Sequence, residues 1–252
     1  MKRKVTRAFI LIIWCCLSTA TLQAQSYAFG FKGGPTIGTQ RWDNSFQRDP
    51  LFRYHGILFI ESASEDTRFA LFAQGGYHIK GSAIRTFPQV IQTPAGLQSL
   101  PGLTIPFEFR NISVTLGGKQ RYDLGSFTQL YYLLGIRGDY TLSTRLSPDF
   151  VDDNDPYRLI YPIEPFVNKF NYGVTLGGGF EFPFSEYIGG ILEFTVNPDF
   201  SRQYNQPRIE NVRNPNPFGG SNTITIPERQ IFNLTFEVTL GLRFLHKIIY
   251  VD

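Results

Sequence analysis

One stretch of thirteen residues, from Phe232 to Phe244, alternates without interruption between apolar side chains and polar or small ones. Strict alternation over this length predicts a β-strand with one apolar face. The strand would be about twice as long as the usual 5–6 residues of a soluble sheet. A second stretch, from Phe170 to Phe184, repeats the pattern. The chain must therefore fold into long strands whose apolar faces need a large apolar surrounding.

The same period of two predicts eight strands, at about 26–40, 53–63, 68–82, 106–121, 127–143, 169–183, 188–202 and 230–245. The fourth strand changes phase between Phe109 and Ile112, which predicts a β-bulge there. Short connections alternate with four long ones, at 41–52, 83–105, 144–168 and 203–229. In an antiparallel meander every second connection emerges at the same end. All long loops are therefore expected at one end, as in outer-membrane barrels.

The two faces of these strands differ in size as well as polarity. The polar face is rich in glycine, which weakens a strand and has no reason to accumulate on a water-exposed surface. The interior of a small barrel, by contrast, has little room for side chains. We therefore predict that a polar network fills the lumen, formed by Lys32, Glu61, His78, Lys80, Arg137, Asp139, Glu181, Glu193, Glu237 and Arg243.

The apolar face is predicted to contact lipid. Its members in the two clearest strands are Phe170, Tyr172, Val174, Leu176, Phe180, Phe232, Leu234, Phe236, Val238, Leu240, Leu242 and Phe244. Aromatic residues near strand ends are expected to form interfacial girdles, namely Tyr27, Tyr54, Tyr77, Tyr140, Tyr172 and Phe200. The predicted fold class is all-β: an eight-stranded antiparallel up-and-down transmembrane β-barrel with short periplasmic turns and long extracellular loops. A lipocalin-like soluble barrel with an apolar core is the alternative.

The first 24 residues have the pattern of a secretory signal peptide. A basic start is followed by the apolar run 8–17 and the small, polar run 18–24. We therefore divide the chain into a signal peptide, 1–24, and a barrel domain, 25–252. Both cysteines, Cys15 and Cys16, lie in the signal, so the barrel domain has no thiol chemistry. Removing the four basic residues of the signal leaves 20 basic and 21 acidic residues, and nucleic-acid binding is not expected.

The motifs that carry chemistry elsewhere are incomplete in this chain. Leu116–Lys119 (LGGK) lacks the spacing of a phosphate-binding loop. The three histidines, His55, His78 and His246, have no metal-ligand spacing. Nothing marks a serine as a nucleophile next to one of them. The sequence therefore predicts no catalytic residue, no cofactor and no metal.

The chain resembles the PorT-like outer-membrane β-barrels of Bacteroidetes-type bacteria. The resemblance rests on the signal ending LQAQ, the first strand FGFKGGPTIG, and LTIPFEFRNISVTLGGKQRY followed by LYYLLGIRGDY. The segment Phe107 to Asn111 departs from the family, which has a leucine-lysine-tyrosine run after the proline. The resemblance implies a small antiparallel barrel in the outer membrane. The founding member is tied to a protein-secretion apparatus, and no catalytic residues carry over.

These observations lead to one functional expectation with two alternatives. We expect a non-enzymatic outer-membrane barrel that acts through its long loops, or as an accessory of a protein-secretion system. The alternatives are a narrow small-solute channel and a lipid A-modifying enzyme. The expected surroundings are outer-membrane lipid and lipopolysaccharide, with a monomeric barrel and a possible protein partner at loops 83–105, 144–168 and 203–229.

Overall fold

The computed structural model describes residues 26–43, 48–63, 67–85, 88–93, 96–100, 102–125, 127–147, 161–214 and 221–247. The predicted signal peptide, 1–24, lies outside these residues, as does most of the first half of the predicted loop 144–168. Within the described residues, no helix has the length and apolarity needed to cross a membrane.

Thirteen strands follow one another along the chain: β1 (Ser26–Trp42), β2 (Asp49–Ala63), β3 (Phe69–Arg85), β4 (Gln89–Thr93), β5 (Gly96–Leu100), β6 (Thr104–Asp123), β7 (Gln129–Arg145), β8 (Phe170–Pro183), β9 (Ile188–Pro198), β10 (Tyr204–Gln206), β11 (Ile209–Arg213), β12 (Thr223–Ile226) and β13 (Arg229–Lys247). Eight of them, β1, β2, β3, β6, β7, β8, β9 and β13, pair in this order as antiparallel neighbours. Pairing of β13 with β1 closes the ring. The predicted eight-stranded up-and-down barrel is confirmed.

The connections between barrel strands segregate to two ends as predicted, but the predicted long loop 41–52 is reduced to the six residues between Trp42 and Asp49, because β1 and β2 extend into it. The turns after β2, β6 and β8 are short and lie at the same end as Ser26 and Lys247, which we call the short-turn end. The connections after β1, β3, β7 and β9 lie at the opposite, long-loop end. Three of these four carry structure of their own: the hairpin β4–β5, a short 3-10 helix at Glu164–Phe166, and the strands β10, β11 and β12. β10 adds to the upper end of β13.

Alternation of side chains across the wall follows the pattern of the sequence. On β7, for example, Leu134 and Ile136 point outward and are more than half exposed, whereas Leu133 and Arg137 are buried. The outward series on β2, β6 and β13 is likewise apolar. In water, this apolar surface would be exposed to solvent all around the barrel, and soluble proteins avoid apolar patches of that size. The wall therefore fits an apolar solvent outside and does not fit the soluble, lipocalin-like alternative.

The predicted bulge lies at the right height but in the neighbouring strand. The register between β6 and β7 shifts between Arg110 and Asn111, where Leu142 of β7 is the extra residue. β6 pairs with β3 without a shift from Thr104 to Gln120. The prediction that β6 itself changes phase was therefore wrong. Phe107 and Phe109 continue the inward series of β6 and are fully buried.

The upper part of β3 approaches β1, although β2 lies between them in the sheet. The register between β2 and β3 is interrupted between Pro50 and His55. At this height a Cβ on Gly38 of β1 would lie 2.6 Å from the carbonyl oxygen of Gly81 in β3. One step further up, the hydroxyl of Ser82 donates to Oε1 of Gln40 at 2.7 Å. The strand pair β3–β6 therefore leans across the lumen at the long-loop end.

Candidate functional site

The interior of the barrel is the densest arrangement of polar groups in the described structure. The structure places the ten residues of the predicted network on the inner side of the wall. Nine of them are buried, and Arg243 is the tenth, with 18% of its side chain exposed. From the short-turn end to the long-loop end the interior consists of a lower ion cluster, an apolar layer, a histidine layer, an upper ion cluster and an apolar seal.

The lower ion cluster joins three cations to two carboxylates. Glu61 accepts from Nη2 of Arg121 at 2.6 Å, from Nε of Arg243 at 2.6 Å and from Nζ of Lys119 at 3.0 Å. Glu181 contacts Lys119 and accepts from Nε of Arg121 at 3.2 Å. Burial of such charges is favourable only when each is paired. The cluster holds β2, β6, β8 and β13 together across the lumen.

The apolar layer was not predicted. It consists of the buried side chains of Phe59, Phe72, Tyr131, Leu133 and Ile191. One ion pair crosses it, between Nζ of Lys32 and Oε1 of Glu193 at 2.6 Å, and the hydroxyl of Tyr131 donates to Oε2 of Glu193 at 2.8 Å. The cavity left between this layer and the lower ion cluster is only about 10 Å³. That is about the volume a single water needs.

The histidine layer lies above the apolar layer. The rings of His55 and His78 stack with their centroids 5.6 Å apart. Nδ1 of His78 lies 2.6 Å from Oε1 of Glu237, and the two nitrogens of His55 lie 2.9 Å from the hydroxyls of Thr36 and Thr239. Both rings thus have polar partners inside the wall. The fold thus brings together two histidines that are far apart in the sequence.

The upper ion cluster is the most deeply buried. Nζ of Lys80 donates at 2.8 Å to Asp139 and at 2.8 Å to Asp199. Nη2 of Arg137 donates to Asp199 at 2.8 Å, and Asn233 donates to the same carboxylate at 3.1 Å. Two cations face two carboxylates in this cluster, so its charge is balanced.

An apolar seal closes the long-loop end. Phe109, Leu146, Tyr204 and Ile231 form a buried cluster on which Trp42 and Phe166 pack. Tyr204 belongs to β10, so the connection after β9 folds back into the mouth of the barrel. The guanidinium of Arg48 lies over the rings of Trp42 and Phe107, at 3.4 and 4.2 Å from their centroids. Burial, together with the nearby charge of Arg229, lowers the pKa of Arg48 to about 10.

In the part of the chain that the structure describes, the short-turn end is open. A cavity of about 550 Å³, which we call the vestibule, is bounded by the ends of the barrel strands and the short turns. Its floor includes Arg121, Glu181 and Arg243 of the lower ion cluster. Its rim carries further charged residues, namely Arg68, Asp123, Glu186 and Lys247, and its walls carry apolar ones, namely Ala63, Phe182, Pro183, Ile188 and Leu245.

The residues predicted to contact lipid lie on the outer side. Those on β8 and β13 alternate with buried inner residues, and Phe170, Tyr172 and Leu240 are the most exposed of them, at 60% or more. The girdle residues Tyr54, Tyr140, Tyr172 and Phe200 are exposed near the long-loop end, and Tyr27 is exposed near the other. Tyr77 lies in the middle of β3 and is only partly exposed, so it does not belong to an end girdle.

Several interior residues were missed by the sequence reasoning: His55, Lys119, Arg121 and Asp199. Lys119 and Arg121 share the inward phase of Thr115 on β6, so the alternation itself could have identified them. His55 was hidden by the apolar residues on both faces of β2, since Ile57 and Phe59 turn into the apolar layer. Asp199 directly follows β9, outside the alternating pattern.

No group of three or more potential metal ligands occurs among the residues that the structure describes. His246, the third histidine, lies at the short-turn end and stacks on Tyr27 with the ring centroids 4.8 Å apart. It is therefore far from the pair formed by His55 and His78. The charged groups of the interior thus pair with one another, and the charged side chains that a ligand could reach lie in the vestibule.

Fold and interior together define a class, the small closed transmembrane β-barrel. No family model and no curated protein matches the sequence. Ail, the attachment invasion locus protein of Yersinia pestis, solved in complex with the heparin analogue sucrose octasulfate, is 11% identical over 87% of this chain and 99% of its own, with a TM-score of 0.39.

Two further solved structures have comparable similarity. The outer membrane protease OmpT from Escherichia coli is 10% identical over 89% of this chain and 98% of its own, with a TM-score of 0.43. A major outer membrane protein from Thermus thermophilus is 10% identical over 87% of this chain and 99% of its own, with a TM-score of 0.44.

Proposed function

We propose that the protein is a closed, non-conducting barrel of the bacterial outer membrane that acts as an interaction protein through its long-loop end. The filled and ion-paired interior carries this proposal. An apolar outer wall requires lipid around it, and a closed sheet leaves no unpaired backbone edge in hydrocarbon. The predicted signal peptide supports export, and barrels of this construction belong to outer membranes.

The interior argues against the channel alternative. In an eight-stranded barrel the bore is only wide enough for the side chains that fill it. Here the upper ion cluster, the apolar layer and the lower ion cluster follow one another along the axis, and the apolar seal lies above them. A permeating ion would have to break buried pairs such as Lys80–Asp199, which is costly because each partner would be left uncompensated.

The long-loop end offers the larger surface for a partner. The hairpin β4–β5 has exposed apolar side chains at Val90 and Leu97. The hairpin β11–β12 is charged, with an exposed pair between Arg208 and Glu210. Rigid support by a barrel and a mixture of apolar and charged side chains are features of binding loops. A role as an accessory of a secretion system remains a prediction, and a physical complex with secretion components would support it.

The conductance of the purified protein in a planar bilayer tests this proposal. We expect no stepwise currents, because the described interior has no continuous opening. Stepwise currents in the unmodified protein would contradict the proposal and favour the narrow channel. The lipid A-modifying alternative is tested separately by the mass of lipid A after expression. We expect it to be unchanged, since His55 and His78 are buried in the lumen away from any lipid substrate.

A further inference from the structure

The vestibule at the short-turn end has an excess of positive charge on its floor. The lower ion cluster contains Lys119, Arg121 and Arg243 against only Glu61 and Glu181. Among the described residues of the rim the charges balance: Arg68 pairs with Asp123 at 2.9 Å, and Glu186 and Lys247 are of opposite sign. The surplus of one positive charge therefore belongs to the floor.

The floor also has hydrogen-bond donors to spare. Arg243 uses only its Nε, which donates to Glu61, and Arg121 uses its Nε and Nη2. Within the described ranges, both terminal nitrogens of Arg243 and Nη1 of Arg121 have no hydrogen-bond partner. Both side chains line the vestibule. A guanidinium has five N–H groups in a planar fork that matches the geometry of carboxylate and phosphate.

We propose that the vestibule binds a small organic anion. The guanidinium groups of Arg243 and Arg121 hold its carboxylate or phosphate, whose charge neutralises the surplus on the floor. The apolar wall residues Ile188 and Leu245 contact the body of the ligand. A cavity of about 550 Å³ lies within the roughly 300–1,000 Å³ range of small-molecule sites. This site lies at the opposite end from the proposed interaction surface and does not depend on the proposed function.

Calorimetric titration of the full chain in detergent micelles tests the proposal with three probes. N-acetyl-phenylalanyl-leucine has a free carboxylate, its C-terminal amide lacks the charge, and phenyl phosphate supplies the alternative head group. We expect the acid or phenyl phosphate to bind at least about tenfold more tightly than the amide, a difference of roughly 1.4 kcal/mol. Binding of only one of the two anions would support the proposal and identify the head group.

Two variants locate the site. Arg243→Gln leaves two cations facing two carboxylates, so the cluster stays balanced and the barrel is expected to fold. Anion binding should weaken at least about tenfold, because the free fork is lost. Arg68→Gln is the matched control: it removes an arginine that lines the same cavity but is engaged with Asp123 at the surface. We expect it to change the affinity less than about twofold.

Three results would overturn the proposal. The first is equal affinity of the unmodified protein for the acid and the amide, together with no binding of phenyl phosphate. The second is an unchanged affinity in Arg243→Gln. The third is an equal loss in Arg243→Gln and Arg68→Gln, which would indicate general surface attraction. The first result needs no variant, so the proposal can fail even if Arg243→Gln does not fold.

Discussion

The two ends of this barrel are built from the same eight strands and are nevertheless opposite in character. At the long-loop end, β3 and β6 lean inward, Tyr204 folds back into the mouth, and a balanced ion cluster lies beneath an apolar seal. At the short-turn end an unbalanced ion cluster faces the vestibule. The same eight strands therefore produce one closed and one open end, and the closed end is closed by the lean of β3, by β10 and by inward apolar side chains.

The largest expected effect concerns the closed end. Lys80→Met would leave Asp139 and Asp199 with Arg137 as their remaining buried cation. Loss of one partner from a buried charge cluster costs about 3–5 kcal/mol in the free energy of unfolding. Urea titration in lipid vesicles, followed by the fluorescence of Trp42, measures this change. A loss below about 1 kcal/mol would mean that the closed end tolerates imbalance as the open end does.

The wall between the two ends is tested by Leu240→Arg. Leu240 points outward from the middle of β13 and is 66% exposed on the isolated barrel. In lipid, an arginine near mid-membrane costs about 2–4 kcal/mol. We expect poor insertion into vesicles, measured by the fraction of protein with folded, heat-modifiable electrophoretic mobility. Leu240→Phe is the control and should insert normally. Normal insertion of Leu240→Arg would show that this face does not contact lipid.

The variant Gly38→Ala, which adds one methyl group, tests the inward lean of β3. In Gly38→Ala the new Cβ would meet the backbone of Gly81 at 2.6 Å, so one of the strands must move. Overpacking of this kind costs about 1–3 kcal/mol. Gly56→Ala on the outer side of β2 has nothing within 4 Å and should be neutral or slightly stabilising. If both variants have the same free energy of unfolding, β3 does not approach β1 as described.

The smallest effect is expected at the open end. Arg243→Gln removes the surplus charge and leaves Lys119 and Arg121 with Glu61 and Glu181. Because Arg243 is partly solvated, we expect a change of about 1 kcal/mol or less in the free energy of unfolding. The same urea titration measures it. A loss as large as that of Lys80→Met would remove the energetic distinction between the two ends.

The barrel could be predicted from the sequence because the two faces of the wall meet different surroundings, lipid outside and a packed polar interior inside. Outward residues such as Ile136 must be apolar, inward ones such as Arg137 must pair, and the period of two follows from that division. The structure extends most strands by a few residues at the long-loop end, where β2 begins at Asp49. At the start of β2 the alternation continues, with Leu51 buried and Phe52 more than half exposed.

The features that the sequence did not reveal depend on contacts between strands that are not neighbours. A phase change was expected after Phe109, but Phe107 and Phe109 keep the inward phase of β6, because the seal offers them Trp42, Tyr204 and Ile231 as contacts. Phe59 and Phe72 also turn inward, and their aromatic rings form part of the apolar layer. No periodicity within a single strand encodes which residue stands across the lumen.

The seam between β1 and β13 has a consequence for biogenesis. Fifteen register pairs join Ser26–Trp42 to β13, which is the last of the eight barrel strands to be synthesised. Until that strand arrives, the sheet has two free edges, and each unpaired backbone group in hydrocarbon costs several kcal/mol. A nascent chain that ends before residue 229 lacks β13 and therefore cannot form a stable sheet in the bilayer. Commitment to the membrane has to wait for the final hairpin, and the cell needs a means of keeping the incomplete polypeptide soluble until then.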